Sequence, residues 1–264
     1  MKTRQEIKQS AKLAMAEQRG SSILILFVYM LIAGAVSVIG AFIGIIPVIG
    51  WLISIAMTCF LMVLQVNVYG SFTKIYRKET TSVGDPFNAL QVNFFRKLGG
   101  MWWQALFTFL WMLLFVIPGI IKFISYSMTP FILAECPNVK AKDALKISMR
   151  MTKGHKGKLF VMALSFIGWF LLNGLTFGIL GIFYVNPYFN TTYAGFYAEL
   201  RDNAIATGAV NQAEFEGAAA DAPAAAVEAP AAVEAPVAET PAEAPAEAPA
   251  ETTAETPVEK TEEE

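Results

Sequence analysis

Residues 22–46 read SILILFVYMLIAGAVSVIGAFIGII, a run without a single Asp, Glu, Lys or Arg. A helix that crosses a membrane needs about 20 mainly apolar residues, so this run predicts a membrane span. A second apolar run, residues 51–72, follows the turn signal Pro47-Val48-Ile49-Gly50. Two such runs separated by a tight turn predict a helical hairpin in a membrane and an all-α fold.

The same pattern continues to about residue 205. We predict that residues 1–205 form a polytopic membrane helical bundle with six spans, at residues 22–46, 51–72, 101–117, 120–134, 159–177 and 182–200. The fourth span is short, and the fourth and sixth spans each contain a helix-breaking proline, Pro130 or Pro187. Short links of Pro and Gly join the spans in pairs, so the six spans form three hairpins.

Basic residues are concentrated on one side of this topology. The N-terminal segment and the two long links between hairpins hold 17 Lys and Arg residues, whereas only Lys122 lies near a tight turn. An excess of Lys and Arg marks the cytoplasmic loops of membrane proteins. We therefore expect a multi-pass protein of the cytoplasmic (plasma) membrane, with both the N-terminus and the C-terminus in the cytoplasm.

Each hairpin is preceded by a segment with the apolar spacing of an amphipathic helix. Residues 3–19 open on a capping-box pattern, Thr3-x-x-Glu6, and end at Gly20. Residues 85–98 open on Asp85-Pro86, a favourable helix start, and end at Gly99. We expect these segments to lie at the cytoplasmic interface, apolar face toward lipid, or alternatively only to brace the bundle.

The third amphipathic segment, residues 141–152, is closed by Gly154 and carries a basic face. Basic side chains near a membrane surface are attracted to anionic lipid headgroups, each by about 1 kcal/mol. The predicted contacts with anionic lipid at the cytoplasmic face are Lys142, Lys146, Arg150 and Lys153.

The chain joins a basic membrane part to an acidic tail. Residues 1–210 hold 19 Lys and Arg against 8 Asp and Glu, whereas residues 211–264 hold 1 Lys against 14 Asp and Glu. The tail is rich in Ala, Pro and Glu, and its frequent prolines interrupt any continuous helix. We predict that residues 211–264 are a disordered cytoplasmic tail, acting as a solubilising tether, a bait for a basic partner or a brake on the basic face.

Two predicted spans contain polar residues around a proline, and these residues admit two interpretations. In the first, the polar groups satisfy backbone carbonyls that the proline frees, which is a matter of packing. In the second, two broken helices face each other and form a solute site near the middle of the membrane. The residues concerned are Tyr126, Thr129, Pro130, Asn186, Pro187 and Asn190.

Residues that carry out chemistry are scarce. The chain has one histidine, His155, and Glu135 lies at the cytoplasmic rim, directly after the fourth predicted span. Cys59 and Cys136 are too few and too far apart for a metal site, and no phosphate-binding or dinucleotide-binding pattern occurs. We therefore expect no catalytic residues, no metal and no cofactor. Nucleic acid is not an expected partner either, because the basic links lie against anionic lipid.

Three motifs resemble a known family. They are Tyr126-Ser-Met-Thr-Pro-Phe-Ile-Leu-Ala-Glu-Cys-Pro137, Lys153-Gly-His-Lys-Gly-Lys-Leu-Phe160 and Leu164-Ser-Phe-Ile-Gly-Trp169. Residues 1–205 resemble the bacterial integral membrane proteins grouped as domain of unknown function 975. The resemblance implies a protein of the cytoplasmic membrane without an assigned activity. The family commonly has Asp where this chain has Glu135, which is a conservative difference.

These observations predict a non-enzymatic integral membrane protein with an accessory, membrane-organising or envelope-related role. Its expected partners are anionic lipid and an unidentified membrane or cytoplasmic protein. The alternative is a small permease or channel-like carrier that uses the broken fourth and sixth helices. A third interpretation is a membrane enzyme that acts on lipid headgroups, which needs a polar cluster around Glu135 and His155.

Overall fold

A computed structural model describes residues 2–46 and 48–217, and over these residues the chain forms α-helices and one π-helical turn without strands. The predicted all-α fold is confirmed there. The helices are α1 (Arg4–Glu17), α2 (Arg19–Ile43), α3 (Ile49–Tyr76), α4 (Asp85–Asn88), α5 (Phe94–Leu114), α6 (Val116–Tyr126), α7 (Thr129–Glu135), α8 (Ala141–Thr152), α9 (Lys156–Leu164), α10 (Ile167–Leu175), the π-turn Gly181–Val185, α11 (Asn186–Ala206) and α12 (Gln212–Phe215).

Four helical stretches within the described residues are long and apolar enough to cross a membrane. They are Arg19–Ile43, Ile49–Tyr76, Val116–Glu135 and Lys156–Leu175. The other two predicted spans are not among these four: residues 101–117 fall on α5 and the start of α6, and residues 182–200 fall on the π-turn and α11. The arrangement of six spans therefore stays a prediction, whereas four apolar membrane-type helices are present.

Burial divides the fold into two ends. The packed end contains the buried core, to which α1, α7, α8, α11 and the C-terminal part of α3 contribute. The apolar end exposes large apolar side chains, among them Phe42, Trp51, Leu113 and Phe177. Extensive exposed apolar surface is uncommon in soluble proteins and marks a surface that contacts a membrane or another protein.

The first and third amphipathic helices form as predicted, but their apolar faces contact protein. Thr3 and Glu6 make the predicted capping box, with the Thr3 N–H donating to Glu6 Oε2 at 2.7 Å. On α1, Ile7 and Ala11 are fully buried, because α1 packs against α11 and α3. α8 likewise buries Ile147 against its neighbours. The expectation that these apolar faces lie on lipid is wrong, and the bracing alternative fits the contacts.

The predicted amphipathic helix at residues 85–98 is wrong. Only Asp85–Asn88 forms a separate short helix, and residues 94–98 are already part of α5, which begins at Phe94. Asn93 has a left-handed backbone (φ 55°), which asparagine tolerates better than most residues. Its side-chain amide donates to the Pro137 carbonyl at 2.9 Å, so this contact fixes the turn. The first helix is also shorter than predicted, because α2 starts at Arg19 and Gly20 lies inside it.

Helix breaks occur at three places. The turn between α5 and α6 lies at Phe115, and Pro118 falls in the first turn of α6, where its missing N–H costs nothing. The predicted break near Pro130 is present, since α6 ends at Tyr126 and α7 begins at Thr129. A break that was not predicted separates α9 from α10. Pro187 does not break its helix, because the π-turn directly before it absorbs the distortion.

Residues 211–217, the beginning of the predicted tail, fold onto the packed end. Asn211 and Glu214 form a capping box around α12, and Phe215 is buried. This part of the tail prediction is therefore wrong. Its physical reason is that Glu214 and Phe215 both find partners on the helical body. Residues 218–264, the rest of the predicted tail, lie outside the described residues.

Candidate functional site

The break between α6 and α7 leaves backbone carbonyls without their helical partners. One of them, the Ser125 carbonyl, accepts hydrogen bonds from the Ser148 hydroxyl at 2.8 Å and the Thr152 hydroxyl at 3.3 Å. Both hydroxyls come from the buried face of α8. A freed carbonyl in an apolar environment must find a donor, and here a neighbouring helix supplies two. The polar residues around Pro130 therefore lie in a packed junction.

The structure does not bring the two proline segments together. Tyr126, Thr129 and Pro130 are buried where α6 meets α7. Phe131 stacks on Tyr197 of α11, with the ring centroids 5.3 Å apart. Pro187 precedes Tyr197 by ten residues, which corresponds to about 15 Å along a helix. The two segments thus lie at different heights of the fold.

The polar groups around Pro187 are satisfied within their own helix. The Asn190 amide donates to the Asn186 carbonyl at 2.8 Å, and the Thr191 hydroxyl donates to the Pro187 carbonyl at 2.8 Å. The tyrosine that precedes them in sequence, Tyr184, packs on Trp169 of α10 at 5.3 Å. The surroundings of this segment are therefore aromatic rather than a polar cavity.

Removal of both donors to the Ser125 carbonyl is expected to destabilise the protein. The double substitution Ser148→Ala/Thr152→Val leaves a buried acceptor unpaired, which costs about 1–3 kcal/mol. The measurement is equilibrium unfolding by SDS in mixed micelles, followed by tryptophan fluorescence. Ser37→Ala is the matched control, because its hydroxyl bonds only to a carbonyl of its own exposed helix turn. Equal stability of the two variants would contradict the role assigned to α8.

A partly buried ionic cluster, which we call the ionic node, joins three helices of the packed end. Glu135, at the end of α7, pairs with Arg77 at the end of α3 and with Arg201 of α11. Arg201 Nη1 lies 2.8 Å from Glu135 Oε2, and the Tyr197 hydroxyl donates to the same oxygen at 2.7 Å. The carboxylate is thus held by two guanidinium groups and a phenol. In chemical terms this site can fix helices but offers no free carboxylate.

Glu135 and His155 do not form a common cluster. His155 Nε2 lies 3.1 Å from the Asn203 amide nitrogen, whereas Glu135 bonds to Arg201. Arg201 and Asn203 are two residues apart on α11, so their side chains point to different faces. Burial, with a contribution from Lys158, lowers the pKa of His155 below its usual value. In the tautomer that carries its proton on Nδ1, the neutral ring accepts a hydrogen bond from the Asn203 amide at Nε2.

A small polar cavity of about 270 Å³ adjoins the ionic node. Its walls include Asn67, Lys74 and Asp85 together with Arg77 and Glu135. The cavity is therefore lined by both cationic and anionic side chains. Two of them form an ion pair, with Lys74 Nζ 3.3 Å from Asp85 Oδ2. It lies among residues of the packed end, so it is not a passage through the apolar end.

Lys97 is a buried cation that the sequence did not single out. Its ammonium donates to the Asn67 side-chain oxygen at 2.6 Å and to the Ala89 carbonyl at 2.8 Å. Burial, with a smaller contribution from Arg96, lowers the pKa of Lys97 to about 8. Two neutral acceptors replace water here without an acidic partner, which makes this lysine a structural clamp between α3, α4 and α5.

The four predicted lipid contacts differ in their surroundings. Lys142 is exposed and lies 4.4 Å above the Trp103 ring, and Lys153 is exposed without an ion pair to a described residue. Lys146 lies 3.7 Å from Asp143, one turn back on the same helix. Arg150 is paired with Glu214 of α12. Lys142 and Lys153 are thus the members of this set best placed to meet a lipid headgroup.

The pairing of Arg150 with Glu214 was missed by sequence reasoning, although a signal for it exists. Asn211 and Glu214 have capping-box spacing, and Phe215 is the single aromatic residue among residues 211–264. Similarly, Tyr197 and Arg201 lie four residues apart on one helix face, which could have indicated a shared partner. Neither pattern names that partner, since Glu135 is more than 60 residues away in sequence.

Residues 100–204 match the model of a family described as "Protein of unknown function (DUF975)". The match confirms the family resemblance over this part of the chain, which includes α6 to α10, Glu135 and most of α11. Residues 1–99 lie outside it. Neither a curated protein nor a solved structure shows significant similarity to the chain.

Proposed function

We propose that this chain, whose residues 100–204 match the model of the DUF975 family, is a non-enzymatic protein of the bacterial cytoplasmic membrane. It gathers anionic lipid at the cytoplasmic surface and serves as an accessory, membrane-organising or envelope-related component. The observation that carries the proposal is the division of the fold into a packed end and an apolar end. The basic segments, α1, α8 and the segment between α3 and α5, belong to the packed end.

The proposed topology has six spans in three hairpins, with both termini in the cytoplasm. Exposed apolar side chains on α5, such as Leu106, Phe109 and Leu113, support α5 as the third span. Phe183, which is exposed, supports the sixth span in the same way. The packed end then faces the cytoplasm, because it carries the basic segments that mark cytoplasmic loops.

The chemistry of the polar residues supports a non-catalytic role. Glu135 is committed to Arg77, Arg201 and Tyr197, and His155 is committed to Asn203. The contacts also favour packing over the carrier alternative. The Pro130 segment contacts α11 at Tyr197, which lies ten residues beyond Pro187, so the two proline segments do not face each other. An enzyme that acts on lipid headgroups would need Glu135 and His155 in one cluster. Their partners, Arg201 and Asn203, lie on different faces of α11, so the contacts do not favour this interpretation.

The test is the lipid composition of protein purified in a mild detergent. We expect anionic phospholipid to be enriched over zwitterionic phospholipid relative to the bulk membrane. At about 1 kcal/mol per basic side chain, Lys142→Gln/Lys153→Gln removes about 2 kcal/mol of attraction and should lower this enrichment roughly thirtyfold. The control Lys74→Gln/Lys78→Gln removes the same charge from lysines that pair with Asp85 and Glu17. Purified protein with the composition of the bulk membrane would refute the proposed function.

A further inference from the structure

We propose that a groove between the first turn of α1 and the start of α9 binds one anionic phospholipid. This inference rests on the proposed function and assigns it a specific site. The groove has a volume of about 580 Å³. Lys2, Arg4 and Lys158 line its polar side, and Val161 and Phe196 line its apolar side. A cationic side next to an apolar side fits a molecule with an anionic head and a hydrocarbon tail.

Two of the three cations in the groove are uncompensated. Lys2 pairs with Glu199 at 2.7 Å, whereas Arg4 and Lys158 form no ion pair with any described residue. A guanidinium and an ammonium facing one space are a strong combination for a phosphate group, because both donate charge-assisted hydrogen bonds. The polar side of the groove therefore favours binding of an anion.

The apolar side of the groove continues onto exposed helix surface. Val161 is 45% exposed, and Leu164 and Ile167 extend the same apolar surface along α9 and α10. An inorganic phosphate or an acidic peptide leaves this surface uncovered, whereas an acyl chain removes it from water. The continuity favours a phospholipid over both.

The two sides of the groove are held at a fixed distance by Lys8. Its ammonium donates to the Ser165 hydroxyl at 2.7 Å and lies 4.4 Å above the Phe166 ring. These contacts attach α1 to the junction between α9 and α10, one turn beyond Arg4. The groove is therefore preformed, which limits the entropy that a ligand must lose to order it.

The test is native mass spectrometry of the full-length chain after delipidation in dodecyl maltoside. Phosphatidylglycerol or phosphatidylcholine with the same acyl chains is then added. We expect one phosphatidylglycerol to be retained, and Arg4→Gln/Lys158→Gln to weaken its retention about tenfold, the value of a single charge-assisted hydrogen bond. Lys74→Gln/Lys78→Gln removes the same charge from lysines that do not line the groove and should change retention of this one lipid less than twofold. Size-exclusion profiles establish that both variants fold.

Several outcomes overturn the proposal. An equal loss of phosphatidylglycerol retention in the two double variants would mean that retention depends only on the net charge of the protein. Equal retention of phosphatidylcholine, or displacement of the lipid by inorganic phosphate, would mean that the groove does not select an anionic phospholipid. Anionic enrichment that is unaffected by Arg4→Gln/Lys158→Gln would refute the groove and leave the proposed function standing.

Discussion

Glu135→Gln is expected to lower the free energy of unfolding by about 2–3 kcal/mol, because it leaves two guanidinium groups without their counter-charge. Removing one partner of a fully buried ion pair costs about 3–5 kcal/mol. The ionic node is partly accessible, with side-chain exposures of 15% for Glu135, 33% for Arg77 and 24% for Arg201. Water therefore solvates part of the released charge, and the expected cost lies below the fully buried range.

The measurement is equilibrium unfolding by SDS in mixed micelles, with Glu79→Gln as the matched control. Glu79 is an exposed carboxylate near the same end of α3 and forms no ion pair with a described residue. Its substitution should change stability by no more than about 0.5 kcal/mol. Glu135→Asp keeps the charge on a shorter side chain, so its stability should fall between the wild type and Glu135→Gln. If Glu135→Gln behaves like Glu79→Gln, the node does not hold the three helices together.

Gly70→Val is the second substitution with a large expected effect. A Cβ atom added at Gly70 would lie 2.9 Å from the Ala134 Cβ, closer than two such atoms approach in real proteins. Neither atom can rotate away, so α3 and α7 must separate. Small residues at helix interfaces allow this kind of close backbone approach. Overpacking at such a contact costs about 1–3 kcal/mol, and the rigid neighbour places valine toward the upper value.

Gly34→Val provides the control for this substitution. Gly34 lies in α2, and an added Cβ there meets nothing within 4 Å. Valine at that position should be neutral or slightly stabilising, because it has a better helix propensity than glycine. The same SDS titration compares the two variants. Similar unfolding midpoints for Gly70→Val and Gly34→Val would show that the approach of α3 to α7 is not a tight one.

The sequence predicts the helical elements well where local signals determine them. The apolar run at residues 22–46 became α2, the capping box at Thr3 formed, and Gly154 closes α8 with a positive φ of 82°. Periodicity also predicted the buried face of α8. Each of these features depends on residues within a few turns of one another.

The sequence does not predict which surface an apolar face contacts. A stripe such as Ile7 and Ala11 looks the same whether it rests on lipid or on α11, because both are apolar surroundings. The ionic node combines Arg77, Glu135 and Arg201 from distant parts of the chain, so no local pattern contains it. Pro130 and Pro187 both stand in the first turn of a helix, yet a break in the helix precedes Pro130 and a π-turn precedes Pro187. The difference comes from tertiary contacts, chiefly the hydroxyl donors on α8.

The packing of α1 against α11 joins the first and last long helices of the described chain, and this has a consequence for biogenesis. Roughly 190 residues separate the end of α1 from the end of α11, and at about 5–20 residues per second their synthesis takes on the order of 10–40 s. Throughout that time Ile7 and Ala11 lack the part of their surroundings that α11 provides in the finished fold. We therefore expect the interfacial position that the sequence of α1 predicts to apply to the nascent chain. The mature protein reaches its final state only when the last helix arrives.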